Sequence, residues 1–80
     1  MKNERILAQL ETIFRDVFDD ENLLINRSTS ALDIEDWDSL AQINLVVASE
    51  KHFNLKFSLS ELALLNNVGD IVDLIVSKMN

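Results

Sequence analysis

The chain contains no cysteine and no proline, has one glycine (Gly69), and carries half as many basic residues as acidic ones. Without cysteine, neither a disulfide nor a thiolate zinc site is open to it. With no proline and a lone glycine, tight hairpins built on Asn-Gly or Pro-Gly are excluded, and a helical chain is expected. No apolar run approaches a signal peptide or a membrane span, so the expectation is a cytoplasmic protein without membrane insertion. Fourteen acidic residues against seven basic ones give a net charge of −7, the opposite of what nucleic-acid phosphates require. That excess points to protein partners with basic patches, or simply to solubility. A single histidine, His52, with no recognisable serine and aspartate partners leaves a hydrolase triad nothing to rest on.

Eighty residues, 48% of them hydrophobic, predict one domain over residues 1–80 with one core. From Asn3 to Phe18 the residues Ile6, Leu7, Leu10, Ile13, Phe14, Val17 and Phe18 recur at spacings of three and four, the stripe of an amphipathic helix. Glu4, Arg5, Glu11, Arg15 and Asp16 fall on its other face. Residues 19–38 hold no sustained period. Such a long connection is tolerated where it packs down or is functional, and Leu23, Leu24, Ile25, Leu32, Ile34 and Trp37 read as its pins. A second helix is expected from Ser39 to about Phe53; its run Ile43 to Ala48 could pass for a buried strand, but length favours helix. Ser58-Leu59-Ser60-Glu61 is a capping box opening a short third helix with Leu59, Leu62, Ala63 and Leu65. Asn67 then caps a last helix carrying Val68, Ile71, Val72, Leu74, Ile75 and Met79. No internal repeat is visible.

Trp37-Asp38-Ser39-Leu40 is the most informative stretch, because it sets a hydroxyl where the acidic run from Asp33 to Asp38 meets an apolar helix. Ser39 and Gln42 fit a Ser-x-x-Gln capping box, which alone would make Ser39 a structural cap. The run Asp33-x-Glu35-Asp36-x-Asp38 lacks the glycine and the closing glutamate of an EF-hand loop, so no metal site is expected there.

Asp38-Ser39-Leu40, with about forty residues on either side, resembles the phosphopantetheine attachment site of acyl carrier proteins. Asn67-Val68-Gly69-Asp70, followed by Ile71-Val72-Asp73-Leu74-Ile75, is similar to the family's closing Thr-Val-Gly-Asp motif, with Asn67 in place of the threonine. Both residues cap helices, so the exchange is mild. The resemblance implies an all-α, four-helix acyl-carrier-like bundle with a long first loop and a short third helix. It also implies a non-enzymatic carrier, modified on Ser39 by a phosphopantetheinyl transferase that draws 4'-phosphopantetheine from coenzyme A. As the chain has no cysteine, any thiol it uses must come on such a group. Asp38 and Leu40 would flank the attachment point, with Asp38 assisting the metal-dependent modification. Val47, Phe53, Leu62 and Ile75 are candidates for a cavity sheltering a bound chain, and Leu40, Ile43 and Glu50 for contact with acyl- or aminoacyl-loading and transferring enzymes. Ser49 stands where the family usually has an apolar residue; pointing inward, it would narrow or polarise that cavity.

Carriers of general fatty-acid synthesis usually keep acidic residues along the exposed side of the second helix, whereas Ala41, Gln42 and Asn44 are expected there in this chain. A monomeric, specialised carrier is therefore expected, in a secondary-metabolite, aminoacyl or lipid-modification pathway. The rival expectation is a small acidic helical adaptor that binds proteins and bears no prosthetic group.

Overall fold

In the computed structural model, which describes residues 2–79, four helices follow in chain order: α1 (Lys2–Phe18), α2 (Ser39–Phe53), α3 (Leu59–Ala63) and α4 (Val68–Met79). Among the described residues there is no strand, as the scarcity of turn-formers requires. Helix α1 is the spine, packing against both α2 and α4. Its stripe is the expected one: Ile6, Leu10, Ile13 and Phe14 are buried, with Leu7, Val17 and Phe18 at the margin. Each fully buried side chain of this size contributes about 1.5–3 kcal/mol, so packing holds the helix in place more than local propensity does. Helix α4 supplies Val68, Ile71, Val72 and Ile75 to the same core. Helix α2 turns only Ala41, Leu45 and Ser49 fully inward. Its outer face is also apolar, which is why its sequence has so blurred a period.

The connection of residues 19–38 is packed down and clamped by polar groups. The Glu11 Oε2 carboxylate accepts from Ile25 N (3.0 Å), and Arg15 Nε donates to Leu23 O (2.8 Å), so two residues read as a solvent face grip the start of the loop. Arg27 O and Thr29 O accept from the first amides of α4, Gly69 N and Val68 N, both at 2.8 Å. Arg27 also pairs with Asp73 through both carboxylate oxygens. Gly69 is required there: a Cβ on it would lie 2.9 Å from Arg27 O. The radius of gyration, 11.5 Å, is about what a compact chain of this length has.

Two of the expected pins are not pins. Leu24 is 75% and Leu32 97% exposed, because the clamps on either side of each already fix the backbone and leave these side chains outside. Ile25, Ile34 and Trp37 do face the core.

Helix α3 ends at Ala63, short of Leu65, and has no buried residue. The expected capping box is present, with Glu61 N on Ser58 Oγ and Ser58 N on Glu61 Oε1. Glu61 also pairs with Lys78 of α4 at 2.9 Å. Asn67 caps α4 as expected, accepting from Asp70 N at 2.9 Å, and the Asp70 carboxylate accepts from Asn66 N.

Candidate functional site

The segment leading into α2 is a series of tight turns. Ser30 N donates to Asp33 Oδ2 and Asp33 N to Ser30 O, both at 2.9 Å, then Trp37 N to Ile34 O and Asp38 N to Asp36 O. Ile34 is buried, and the Trp37 ring stands edge-on to Phe14 with centroids 5.2 Å apart. These anchors deliver Asp38 in extended backbone at the mouth of α2. Its Oδ1 accepts from Ala41 N, and its carbonyl accepts from Gln42 N.

The N-cap of α2 is therefore Asp38, and the expected Ser39–Gln42 capping box does not form. An aspartate one residue earlier already satisfies the amide that the serine would have served. Gln42 is used differently: its Oε1 accepts from the indole Nε1 of Trp37 at 2.7 Å. Ser39, the first helical residue, is exposed, and its hydroxyl hydrogen-bonds to no described residue. The amides of Ser39 and Leu40 likewise have no acceptor among the described residues. They lie at the positive end of the α2 dipole, the place where a phosphate ester is favoured.

Around the hydroxyl lies an open depression of about 510 Å³, lined by Ala31, Trp37, Asp38, Ser39, Gln42 and Ile43. Asp33, Glu35, Asp36 and Asp38 are all exposed on the adjoining loop, and no basic residue occurs between Arg27 and Lys51. Among the described residues no group of histidine, aspartate and glutamate is placed to hold a metal ion. An accessible hydroxyl, free amides behind it and open space beside it suit the attachment of a long, flexible phosphate-linked group.

From Ser39 the outer face of α2 continues through Leu40, Ile43 and Val47, which are 66%, 58% and 42% exposed. Asn44 and Lys51 are exposed beside them, but Ala41 is buried, contrary to expectation. Its methyl group lies on the α2 face that carries Leu45 and Ser49. Glu50 is half-buried, and its Oε2 accepts from Phe57 N at 2.8 Å, so this expected partner contact also ties down the chain after α2. The helix ends on Asn54 in the left-handed conformation (φ 55°).

The interior pocket is not where the sequence placed it. Val47 faces outward, Ile75 is sealed in the core, and Phe53 and Leu62 are half-buried outside the pocket lining. The pocket runs instead along the inner side of α2, past Gln42, Leu45, Val46 and Ser49. Phe14 and Ile71 lie opposite, with Phe57 and Leu65 from the segments flanking α3. The helical period alone shows which residues share a face but not which face meets α1, so it does not separate the outward Val47 from the inward Leu45.

A family model described as the phosphopantetheine attachment site matches residues 8–75. The acyl carrier protein of Coprothermobacter proteolyticus is 29% identical over 79 residues, which cover 99% of this chain and 96% of that protein. The solution NMR structure of the holo acyl carrier protein from Geobacter metallireducens superimposes with a TM-score of 0.87 at 50% identity, covering 92% of this chain and 85% of that one. A putative acyl carrier protein from Mycobacterium tuberculosis shares the fold at a TM-score of 0.70 and 22% identity, over the full length of both chains.

Proposed function

This chain belongs to the acyl carrier protein family and bears its phosphopantetheine attachment site, and we propose that Ser39 is the residue modified. The observation that carries this reading is the division of labour at the start of α2: Asp38 does the capping, and the Ser39 hydroxyl is exposed and idle. The adaptor reading needed Ser39 as an ordinary cap, and that employment is already taken.

In the modification, the Ser39 hydroxyl oxygen forms a bond to the phosphorus next to the pantetheine of coenzyme A. The pyrophosphate bond breaks, adenosine 3',5'-bisphosphate leaves, and the serine proton passes to a base of the transferase. Asp38 fixes the helix end through Oδ1, its Oδ2 taking no hydrogen bond among the described residues, while the free amides of Ser39 and Leu40 favour the new phosphodiester. When bound, the group supplies a terminal thiol that holds an acyl cargo as a thioester. The chain itself is a carrier and catalyses none of the transfers; the family implies a phosphopantetheinyl transferase and acyl-handling enzymes as partners.

We further read the chain as a specialised carrier, monomeric and cytoplasmic, with acyl or aminoacyl cargo and dedicated enzymes. This reading is supported by the outer face of α2, where Leu40, Ile43, Asn44 and Val47 are exposed and the one carboxylate, Glu50, is engaged with Phe57 N. A partner would meet an apolar strip there instead of a row of charges, and partner choice follows such complementarity. Incubating the protein with coenzyme A, magnesium and a broad-specificity transferase tests the attachment. A mass gain of one phosphopantetheine, mapped to Ser39 and absent in Ser39→Ala, is the expected result; a gain elsewhere, or none with two transferases, overturns it.

A further inference from the structure

We propose that Ser49 selects the cargo, favouring a medium-length acyl group with a hydroxyl or carbonyl oxygen at its far end over a plain saturated chain. This inference rests on the reading of Ser39 as the attachment residue. Ser49 is 2% exposed, yet no described residue hydrogen-bonds its hydroxyl. Among the described residues no side-chain oxygen is sealed off without a partner, so this one opens onto the pocket it lines. A hydroxyl enclosed among Leu45, Val46, Phe57 and Leu65 with no protein partner favours a guest that supplies one.

Gln42 lines both the depression around Ser39 and the interior pocket, and Ser49 lies two helical turns farther along the same face. Seven residues of helix advance about 10 Å. An extended chain advances about 1.2 Å per bond, so a chain of about eight carbons that enters beside Gln42 ends against Ser49. As it stands the pocket has a free volume of about 10 Å³, room for about one water molecule at most, so it fills by displacing a wall. The wall formed by Phe57 and Leu65 flanks α3, the helix without a buried residue. A saturated chain entering there would press its methyl end on the hydroxyl and leave it unpaired, whereas an oxygenated end would satisfy it.

The experiment loads the full chain enzymatically from octanoyl-coenzyme A and from 8-hydroxyoctanoyl-coenzyme A, then measures thioester cleavage by hydroxylamine. The matching pantetheine thioesters, whose reacting centres are alike, serve as the reference. In the wild type the hydroxylated cargo is expected to be cleaved about two- to tenfold more slowly than the saturated one, the range one net hydrogen bond supplies. Ser49→Ala, which creates no clash, is expected to bring the ratio to one or reverse it. Equal cleavage of the two cargoes in the wild type, or a ratio unchanged in Ser49→Ala, overturns the proposal while leaving Ser39 as the carrier site. Absence of any loading overturns the Ser39 reading and this proposal with it.

Discussion

Trp37 and Gln42 stand on either side of Ser39 and are joined across it by a 2.7 Å hydrogen bond from the indole to the carboxamide. The last residues of the loop and the first turn of α2 are thereby locked as one piece, and Ser39 sits between two fixed points. Gln42→Ala is expected to lower stability by about 1 kcal/mol, the net worth of such a bond. Trp37 is the only tryptophan, so its fluorescence reports the site directly. A red shift on Gln42→Ala is expected as water reaches the released indole, and an unchanged spectrum with unchanged stability would count against the lock.

Capping and chemistry can be separated at position 38. Asp38→Ala removes the bond to Ala41 N and is expected to lower stability by about 0.5–2 kcal/mol, whereas asparagine caps as well as aspartate. Asp38→Asn should therefore unfold in urea near the wild-type midpoint. If the carboxylate serves the transferase, Asp38→Asn is still modified more slowly in a mass-spectrometric time course; wild-type kinetics would confine Asp38 to the cap.

Ser39→Ala is expected to abolish loading and leave stability within about 0.5 kcal/mol, as for an exposed residue outside any such feature. A larger loss in urea unfolding would mean that the serine supports the helix end after all.

Gly69→Ala pits two effects against each other. Alanine in place of a helical glycine gains about 1 kcal/mol, but the new Cβ would lie 2.9 Å from Arg27 O, and forced overpacking costs about 1–3 kcal/mol. The obstacle is a backbone oxygen that also accepts from Gly69 N, so it cannot swing aside. A net loss of about 1 kcal/mol is expected, with faster hydrogen exchange at the Val68 and Gly69 amides. A stabilised variant would show that the loop yields.

Acid should release α3 first. The Glu61 carboxyl is held below its ordinary value of 4.5 by the hydrogen bond from Ser58 N, then by Lys78. A depressed folded-state pKa contributes stability above the unfolded value and loses it as the pH falls through the folded one. Amide protection across residues 58–65, relative to the intrinsic exchange rate at each pH, is thus expected to fall below about pH 4.5, while the α1 core stays protected. Simultaneous loss of both would refute the order.

The sequence made the four helices legible because caps and period are local: Asn67 before Val68, Ser58 before Glu61, and the stripe from Ile6 to Phe18. It also made Ser39 conspicuous. What it hid is long-range. Nothing in Glu11 or Arg15 announces that they grip the loop backbone at Ile25 and Leu23, and nothing pairs Arg27 with Asp73, 46 residues away. The inner and outer faces of α2 were interchanged at Val47 and Ala41 because both faces are apolar. Asp38 and Ser39 are each good caps, and only the geometry of the turn decides between them.

The clamp between the first loop and the start of α4 bears on the order of events during synthesis. Arg27 and Thr29 emerge from the ribosome about forty residues ahead of the amides they receive, those of Val68 and Gly69. Until α4 follows, the loop that leads to Ser39 lacks one of its two grips, and the core beneath Trp37 lacks Ile71 and Val72. A nascent chain thus exposes Ser39 early and fixes its surroundings late, so under the proposed role of Ser39 a transferase would find it properly presented only once α4 has docked.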